Sequence, residues 1–371
     1  MRARKVLFIF GTRPEAIKLC PVARRLRHEA SEFQVSVCVT AQHRALLDQV
    51  LEIFGITPDY DLDVMRPGQS LFQSTSRILS ALEPVFAREK PDWVIVQGDT
   101  TTTLCGALAG FYARSRVAHV EAGLRTGDLA QPFPEEMNRV VSSRLVDHHF
   151  AATEWAAENL VREGIPRGSI DVTGNTGIDA VLWVRDQLAA GQRVRPAWPW
   201  IDARKRLILV TAHRRESFGD GFERICAALA RLSERGDVQI VYPVHPNPQV
   251  AGPVGRLLQS RPNIVLVEPL DYVSFVDLMR QAHILLTDSG GVQEEGPSLG
   301  KPLLVLREKT ERPEAVAAGT VRLVGTDPDR IVAETDLLLR DEEEYLRRSR
   351  VHNPYGDGHA CERIAAVLRS K

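Results

Sequence analysis

Lys5–Lys18 reads KVLFIFGTRPEAIK: an apolar run, a glycine, then a threonine, a proline and a segment of helical period. Lys5–Phe10 predicts a strand. Gly11 turns the chain, and Pro14 suits a first helical position, where its missing N–H has no intrahelical partner to lose. A strand feeding a helix through so short a turn opens a βαβ unit, whose next strand runs parallel. Working outward, further strands are expected at Gln34–Thr40, Trp93–Gln97, Val117–Val120, His148–Ala152 and Ile170–Thr173, with helices such as Ala45–Phe54 and Leu71–Lys90 between them. Gly55, Gly98 and Gly164 fall where helices stop or strands turn. The pattern restarts with Leu207–Thr211, Val238–Pro243, Ile264–Val267, Ile284–Thr287, Leu303–Leu306 and Val321–Val324. This predicts an α/β protein of two Rossmann-like domains facing a cleft, each sheet having five to six strands. Residues 1–175 would form the first domain and 176–358 the second. Gly191–Asp202 (GQRVRPAWPWID), with two prolines and no period, reads as a linker or long surface loop, and 359–371 as a last helix packing back on the first domain.

Composition narrows the function. The 47 Lys plus Arg nearly balance 48 Asp plus Glu, so there is no basic face for nucleic acid. No apolar stretch approaches the roughly 18 to 20 residues of a membrane span, and Met1–Arg4 leads straight into a strand, so a cytoplasmic protein with no membrane partner is expected. Cys20, Cys38, Cys105, Cys226 and Cys361 are odd in number and widely spaced, which suggests buried, reduced thiols.

Ligands of parallel sheets bind beyond the carboxyl ends of strands, and there the polar residues cluster. Arg13 and Lys18 flank the first helix start, an anion site in outline. VQGDTTTT puts Asp99 after a strand, where it reads either as a reacting carboxylate or as a helix N-cap. HVEAGLRTGD puts Glu121 at the equivalent place, and PFPEEMNR brings Glu135 and Glu136 into a first helical turn, where Glu136 reads also as a favourable first-turn acid. In the second half His213 follows a strand within VTAHRRES, and His245 does so within PVHPNP. His148 and His149 are adjacent on a strand and point to opposite faces, which argues against a metal site. LLTDSGGVQEEG is a strand followed by Ser289, Gly290 and Gly291 opening a helix, where bare backbone amides and the helix dipole suit a diphosphate and Glu294 or Glu295 suits a ribose. There is neither a G-x-G-x-x-G nor a Walker A sequence, so no NAD cofactor is expected.

Taken together, FGTRPEAIK (Phe10–Lys18), GDTTTT (Gly98–Thr103), HVEAGLRTGD (His119–Asp128), PFPEEMNR (Pro132–Arg139), HRRES (His213–Ser217), DSGGVQEE (Asp288–Glu295), ERPEA (Glu311–Ala315) and NPYGDG (Asn353–Gly358) closely resemble the non-hydrolysing UDP-N-acetylglucosamine 2-epimerases of bacteria, in order and over essentially the whole chain. The resemblance implies a two-domain glycosyltransferase-B fold, a homodimer, and interconversion of UDP-GlcNAc and UDP-ManNAc, without metal or other cofactor, for surface polysaccharides. By matched motif, Asp99, Glu121, Glu135 and His213 would be catalytic. Arg13 and Lys18 would serve the nucleotide and its phosphates, Ser289, Gly290, Gly291 and Arg312 the diphosphate, Glu295 the ribose, and Phe275 the uracil. Leu270 stands where many relatives carry Gln near the uracil, and Ala212 where relatives often have Gly. Some relatives are activated by a second UDP-GlcNAc; Gln42, His43, Arg66 and His245 would belong to that site, although Ala45 occupies a position where activated relatives can carry Gln.

The implied chemistry is elimination of UDP to 2-acetamidoglucal and re-addition, because the C2 proton is not beside a carbonyl. This asks for an acid and a base on opposite faces of the sugar. Which of Asp99, Glu121 and Glu135 serves which face is open. A glycosyltransferase of the same fold would share the nucleotide cradle but needs one base, a hydrolysing epimerase would release free ManNAc, and a nucleotide-sugar sensor would need none of the carboxylates.

Overall fold

A computed structural model of the chain describes residues 2–40, 44–66, 68–350 and 352–371. The strands are β1 Arg4–Phe10, β2 Phe33–Val39, β3 Tyr60–Asp61, β4 Trp93–Gln97, β5 Arg116–Ala122, β6 His148–Ala151, β7 Ile170–Val172, β8 Arg206–Thr211, β9 Val238–Pro243, β10 Ile264–Val267, β11 Ile284–Thr287, β12 Leu303–Val305 and β13 Val321–Leu323. They form two sheets, β3-β2-β1-β4-β5-β6-β7 and β10-β9-β8-β11-β12-β13. All neighbours pair in parallel. Helices cover both faces of a parallel sheet, so its central strands are buried, as β4 (WVIVQ) is throughout, whereas the edge strand β10 is half-buried. The first sheet has seven strands rather than five or six. The extra one, β3, has two residues, too few to show a period in sequence.

The chain divides into two compact units, Met1–Ala180 with Tyr355–Lys371, and Val181–Pro354. The division falls inside the helix Thr176–Ala189. Gly191–Asp202 is therefore not the connection between halves: it belongs to the second unit, where the Trp198 indole donates to the buried Asp277 carboxylate at 2.8 Å. In the first unit the terminal helix Ala360–Ser370 has no side-chain cap of its own. Asp179 supplies one, accepting from the Ala360 and Cys361 amides at 3.2 and 2.8 Å. All five cysteines are buried and unpaired. Among the described residues no helix is long and apolar enough to cross a membrane.

Strand order decides where chemistry can sit. In each sheet the chain lays its second and third strands to one side of its first, then crosses to the other side, and a parallel sheet opens its ligand crevice at that reversal. The reversals lie between β1 and β4, and between β8 and β11. The residues that follow these strands are Gly11–Arg13 and Gly98–Thr100 in the first unit, and Ala212–Arg214 and Asp288–Gly291 in the second.

Candidate active site

In the first unit a buried carboxylate ties the two turns at the reversal together. Glu15 completes a capping box with Thr12 at the start of the helix Arg13–Arg27. Its Oε2 accepts from the Gly11 and Thr12 amides at 3.0 and 2.8 Å, and its Oε1 from the Thr100 hydroxyl at 2.7 Å. Burial pushes its pKa up, against the pull of these bonds. At the first helix start the Gly11 and Thr12 amides are thus already taken by the chain's own acid. Thr100, not Asp99, caps the helix Thr101–Tyr112, so Asp99 is released from the capping role its position suggested.

Asp99 is held from the next helix, Glu135–Leu145. Arg139 donates to Asp99 Oδ2 through Nε at 3.0 Å and Nη2 at 2.6 Å, and its Nη1 reaches Glu136 at 2.8 Å. Burial works against the Arg139 charge, but Asp99 and Glu136 together hold its pKa above the usual value. Glu136 also takes the Thr126 and Gly127 amides, and Asn138 donates to the Asp99 carbonyl at 2.8 Å. The adjacent acids therefore separate: Glu136 is buried and bonded, whereas the Glu135 side chain is half-buried and makes no hydrogen bond or ion pair among the described residues.

Glu121 sits on β5 where the register against β6 slips by one residue, and its φ of +61° lies in the left-handed region. Such a backbone in a non-glycine residue is uncommon and costs free energy. Its carboxylate is gripped by Lys18 and by Gln97, the last residue of β4. Lys18, expected as a cation for the nucleotide, is also the ion-pair partner of a candidate catalytic acid. Arg13 is the first residue of its helix and is half-buried. The buried His119 on β5 bonds through Nε2 to the Gly98 carbonyl at 2.7 Å, bracing the turn that carries Asp99, and burial pushes its pKa down to about 4. His149 faces it across the β5–β6 register, and His148 bonds Asp171 at 2.7 Å.

In the second unit the helix Gly290–Glu295 starts at Ser289 without a side-chain cap, so its first amides lack the internal acceptor that Glu15 supplies in the first unit. A Cβ on Gly290 would lie 2.5 to 2.7 Å from the Arg312 guanidinium carbon and nitrogens, whereas one on Gly291 would meet nothing within 4 Å. The missing side chain thus lets a guanidinium lie against an uncapped helix start, two anion-favouring features in one place. Arg312 is itself aimed by Glu294, at 2.7 Å from Nε. Glu294 is committed to that task, and the buried Glu295 follows it in the helix. Phe275 lies on the helix Tyr272–Gln281 and is half-buried, and Leu270 immediately precedes the capping Asp271.

His213 follows β8 and His245 follows β9, and their rings stack at 5.5 Å and 21°. His245, expected at an activating site, thus adjoins the candidate catalytic histidine. Burial pushes the His213 pKa down; Asp288 works against this, Arg214 and His245 with it. Arg66, in the first unit, bonds the Asp63 and Met65 carbonyls at 3.0 and 2.9 Å. Gln42 and His43 lie outside the described residues. Among the described residues no group of three or more His, Cys, Asp or Glu side chains could hold a metal.

Sequence reasoning passed over Glu15, Gln97 and the partners of Asp99. Glu15 carried a signal, the T-x-x-E capping box; Gln97 carried none.

Residues 25–369 match the family model described as UDP-N-acetylglucosamine 2-epimerase. The chain belongs to this family. The UDP-N-acetylglucosamine 2-epimerase of Salmonella typhimurium is 58% identical over 371 residues, covering 99% of this chain and 98% of that protein. The one from Escherichia coli K12 is 57% identical over the same shares. The Neisseria meningitidis UDP-GlcNAc 2-epimerase, in a crystal structure bound to UDP-GlcNAc, has a TM-score of 0.91 at 47% identity, covering 99% of this chain and 100% of that one. Likeness to the epimerase family over the full length agrees with the two Rossmann-like units and their glycosyltransferase-B-like fold.

Proposed function

We propose that the protein interconverts UDP-GlcNAc and UDP-ManNAc without releasing free sugar. The observation that carries this is the uncapped Gly290 helix start with the Arg312 guanidinium laid against it, a diphosphate grip in a chain of this family. The Neisseria relative's bound UDP-GlcNAc supports the choice of nucleotide sugar. Ser289–Gly291 and Arg312 would hold the diphosphate, Glu295 the ribose hydroxyls, and Phe275 with the Leu270 backbone the uracil.

In the forward direction the C1–O bond breaks toward UDP while a carboxylate of the first unit takes the C2 proton, leaving 2-acetamidoglucal and UDP. On return a group on the other face delivers a proton to C2 and a UDP oxygen attacks C1, giving the epimer. Asp99, Glu121 and Glu135 are the proton-transferring candidates, and His213 would steady the departing diphosphate or relay a proton. Arg13 and Lys18 would serve the nucleotide and its phosphates, Lys18 while it also pairs with Glu121. The steps require no hydride transfer and no metal, so turnover after exhaustive EDTA treatment should be intact.

The same reading has the protein feed surface polysaccharide synthesis in the cytoplasm as a homodimer. A groove of about 610 Å³ between the helices Leu71–Glu89 and Thr101–Tyr112, lined by Leu79, Glu83, Phe86 and Tyr112, with Phe72 and Phe111 exposed on the same helices, supports a self-association surface.

Incubation with UDP-GlcNAc in D₂O, followed by proton NMR, tests the reaction. Epimerised nucleotide sugar carrying deuterium at C2, with a little escaped 2-acetamidoglucal, is expected. Free ManNAc as the product would mean hydrolysis instead, and no turnover would defeat the reading.

A further inference from the structure

Asp288 follows β11 and is fully buried. Its amide donates to the Thr211 carbonyl at the end of β8, and its Oδ2 accepts from the His213 and Arg214 amides at 2.6 and 2.7 Å. One carboxylate oxygen therefore clamps the turn after β8 to the turn after β11, across the reversal of the second sheet. The other oxygen, Oδ1, is buried without a hydrogen bond among the described residues and lies 3.6 Å from His213 Nδ1. A buried carboxylate oxygen without a donor is costly. The imidazole can supply one with a slight turn, since such bonds are often long before substrate binds.

Resting on the epimerase reading above, we propose that Asp288 is a positioning residue for His213. It keeps Nδ1–H directed at its own Oδ1 and leaves Nε2 as the nitrogen open to substrate. Two further contacts restrict the ring: it stacks on His245 from the end of β9, and the Tyr242 hydroxyl donates to the Ala212 carbonyl at 2.6 Å, fixing the residue before it. The charged or titratable groups facing His213 are Asp288 from β11, His245 from β9 and Arg214 on its own turn. A carboxylate can only accept, so the neutral ring must place its proton on Nδ1 and its lone pair on Nε2. When Nε2 gains a proton, Asp288 stabilises the imidazolium, whether it then returns that proton or lies beside the leaving diphosphate.

Asp288→Asn separates orientation from charge. The amide oxygen can keep both backbone N–H bonds, but its NH₂ then faces Nδ1 and favours the opposite tautomer. The expected results are a fall in kcat of roughly 10²-fold or more, a changed pH profile, and a KM for UDP-GlcNAc within about threefold of the original. Nitrogen-15 NMR of the unmodified protein, with His213 neutral, should show the proton on Nδ1, and this decides the matter even if the variant does not fold. A proton on Nε2 in the unmodified protein would overturn the proposal, as would a folded Asp288→Asn with unchanged kcat and pH profile. Full turnover by His213→Asn would overturn the catalytic reading of His213 and with it this inference. A product other than UDP-ManNAc would defeat the epimerase reading and leave the tautomer result standing.

Discussion

The Glu15 carboxylate accepts the Thr100 hydroxyl at 2.7 Å across 85 positions of sequence, joining the turn after β1 to the turn after β4. Through Thr100, which caps the next helix, it fixes the start of the segment beside Asp99. Glu15→Ala leaves several buried donors without an acceptor and should lower stability by roughly 3 kcal/mol. Glu15→Gln should cost less than half as much, because an amide oxygen can serve the Gly11 and Thr12 donors while the Thr100 hydroxyl turns to accept. Urea unfolding midpoints of the two variants are the check; equal midpoints for Ala and the unmodified protein would refute the hub.

The adjacent acids Glu135 and Glu136 should behave oppositely. Glu136→Gln weakens its bonds to Arg139 and to the Thr126 and Gly127 amides, so it should lose about 1 to 3 kcal/mol of stability. Glu135→Gln removes no bond and should leave the unfolding midpoint unchanged while kcat falls roughly 10²-fold or more if Glu135 moves a proton. Asp99→Asn and Glu121→Gln should show the same kinetic loss. Near-normal turnover in all three amide variants would refute the assignment of acid and base to this cluster.

Gly290 and Gly291 offer a graded test of the diphosphate grip. Gly290→Val forces the Arg312 guanidinium away and should weaken UDP binding by at least tenfold, an energy of about 1.4 kcal/mol. Gly291→Ala has open space around its Cβ, so the protein should remain as stable as before; any loss of UDP affinity there reports the ligand itself lying over the helix start. Calorimetry showing unchanged affinity in both variants would move the diphosphate elsewhere.

Two buried histidines predict acid sensitivity. Burial pushes His119 down to about 4 and His149 down to about 3. Above an ordinary histidine pKa of about 6.5 both rings are neutral whether folded or not; below it the unfolded chain takes up protons that the folded one refuses. Stability should therefore fall as pH drops from about 6.5 toward 4, by about 3 kcal/mol on account of His119 alone. His149→Leu removes a ring that cannot be protonated in place, so the acid limb of unfolding midpoint against pH should become shallower. An unchanged slope would mean that His149 is protonated in the folded protein.

The alternation of strands and helices was legible in the sequence because apolar period, turn glycines and helix-start prolines act over a few residues; Trp93–Gln97, Val238–Pro243, Ile264–Val267 and Ile284–Thr287 have the bounds their patterns predict. The same locality made Asp99, Glu121, His213 and Ser289–Gly291 visible as strand-end residues. What the sequence could not carry is which strands lie side by side, and that choice selects the turns after β1, β4, β8 and β11 from all the strand ends. Partnership is equally non-local. Asp99 and Arg139 are 40 positions apart and His213 and Asp288 75, so only packing decides that Glu136 is fastened while the Glu135 side chain makes no bond among the described residues, or that Lys18 faces a carboxylate. The two helix starts show both sides of this: Thr12 and Glu15 cap the first from four residues of local sequence, whereas the second is left uncapped and receives Arg312 from a turn that only the tertiary fold brings to Gly290.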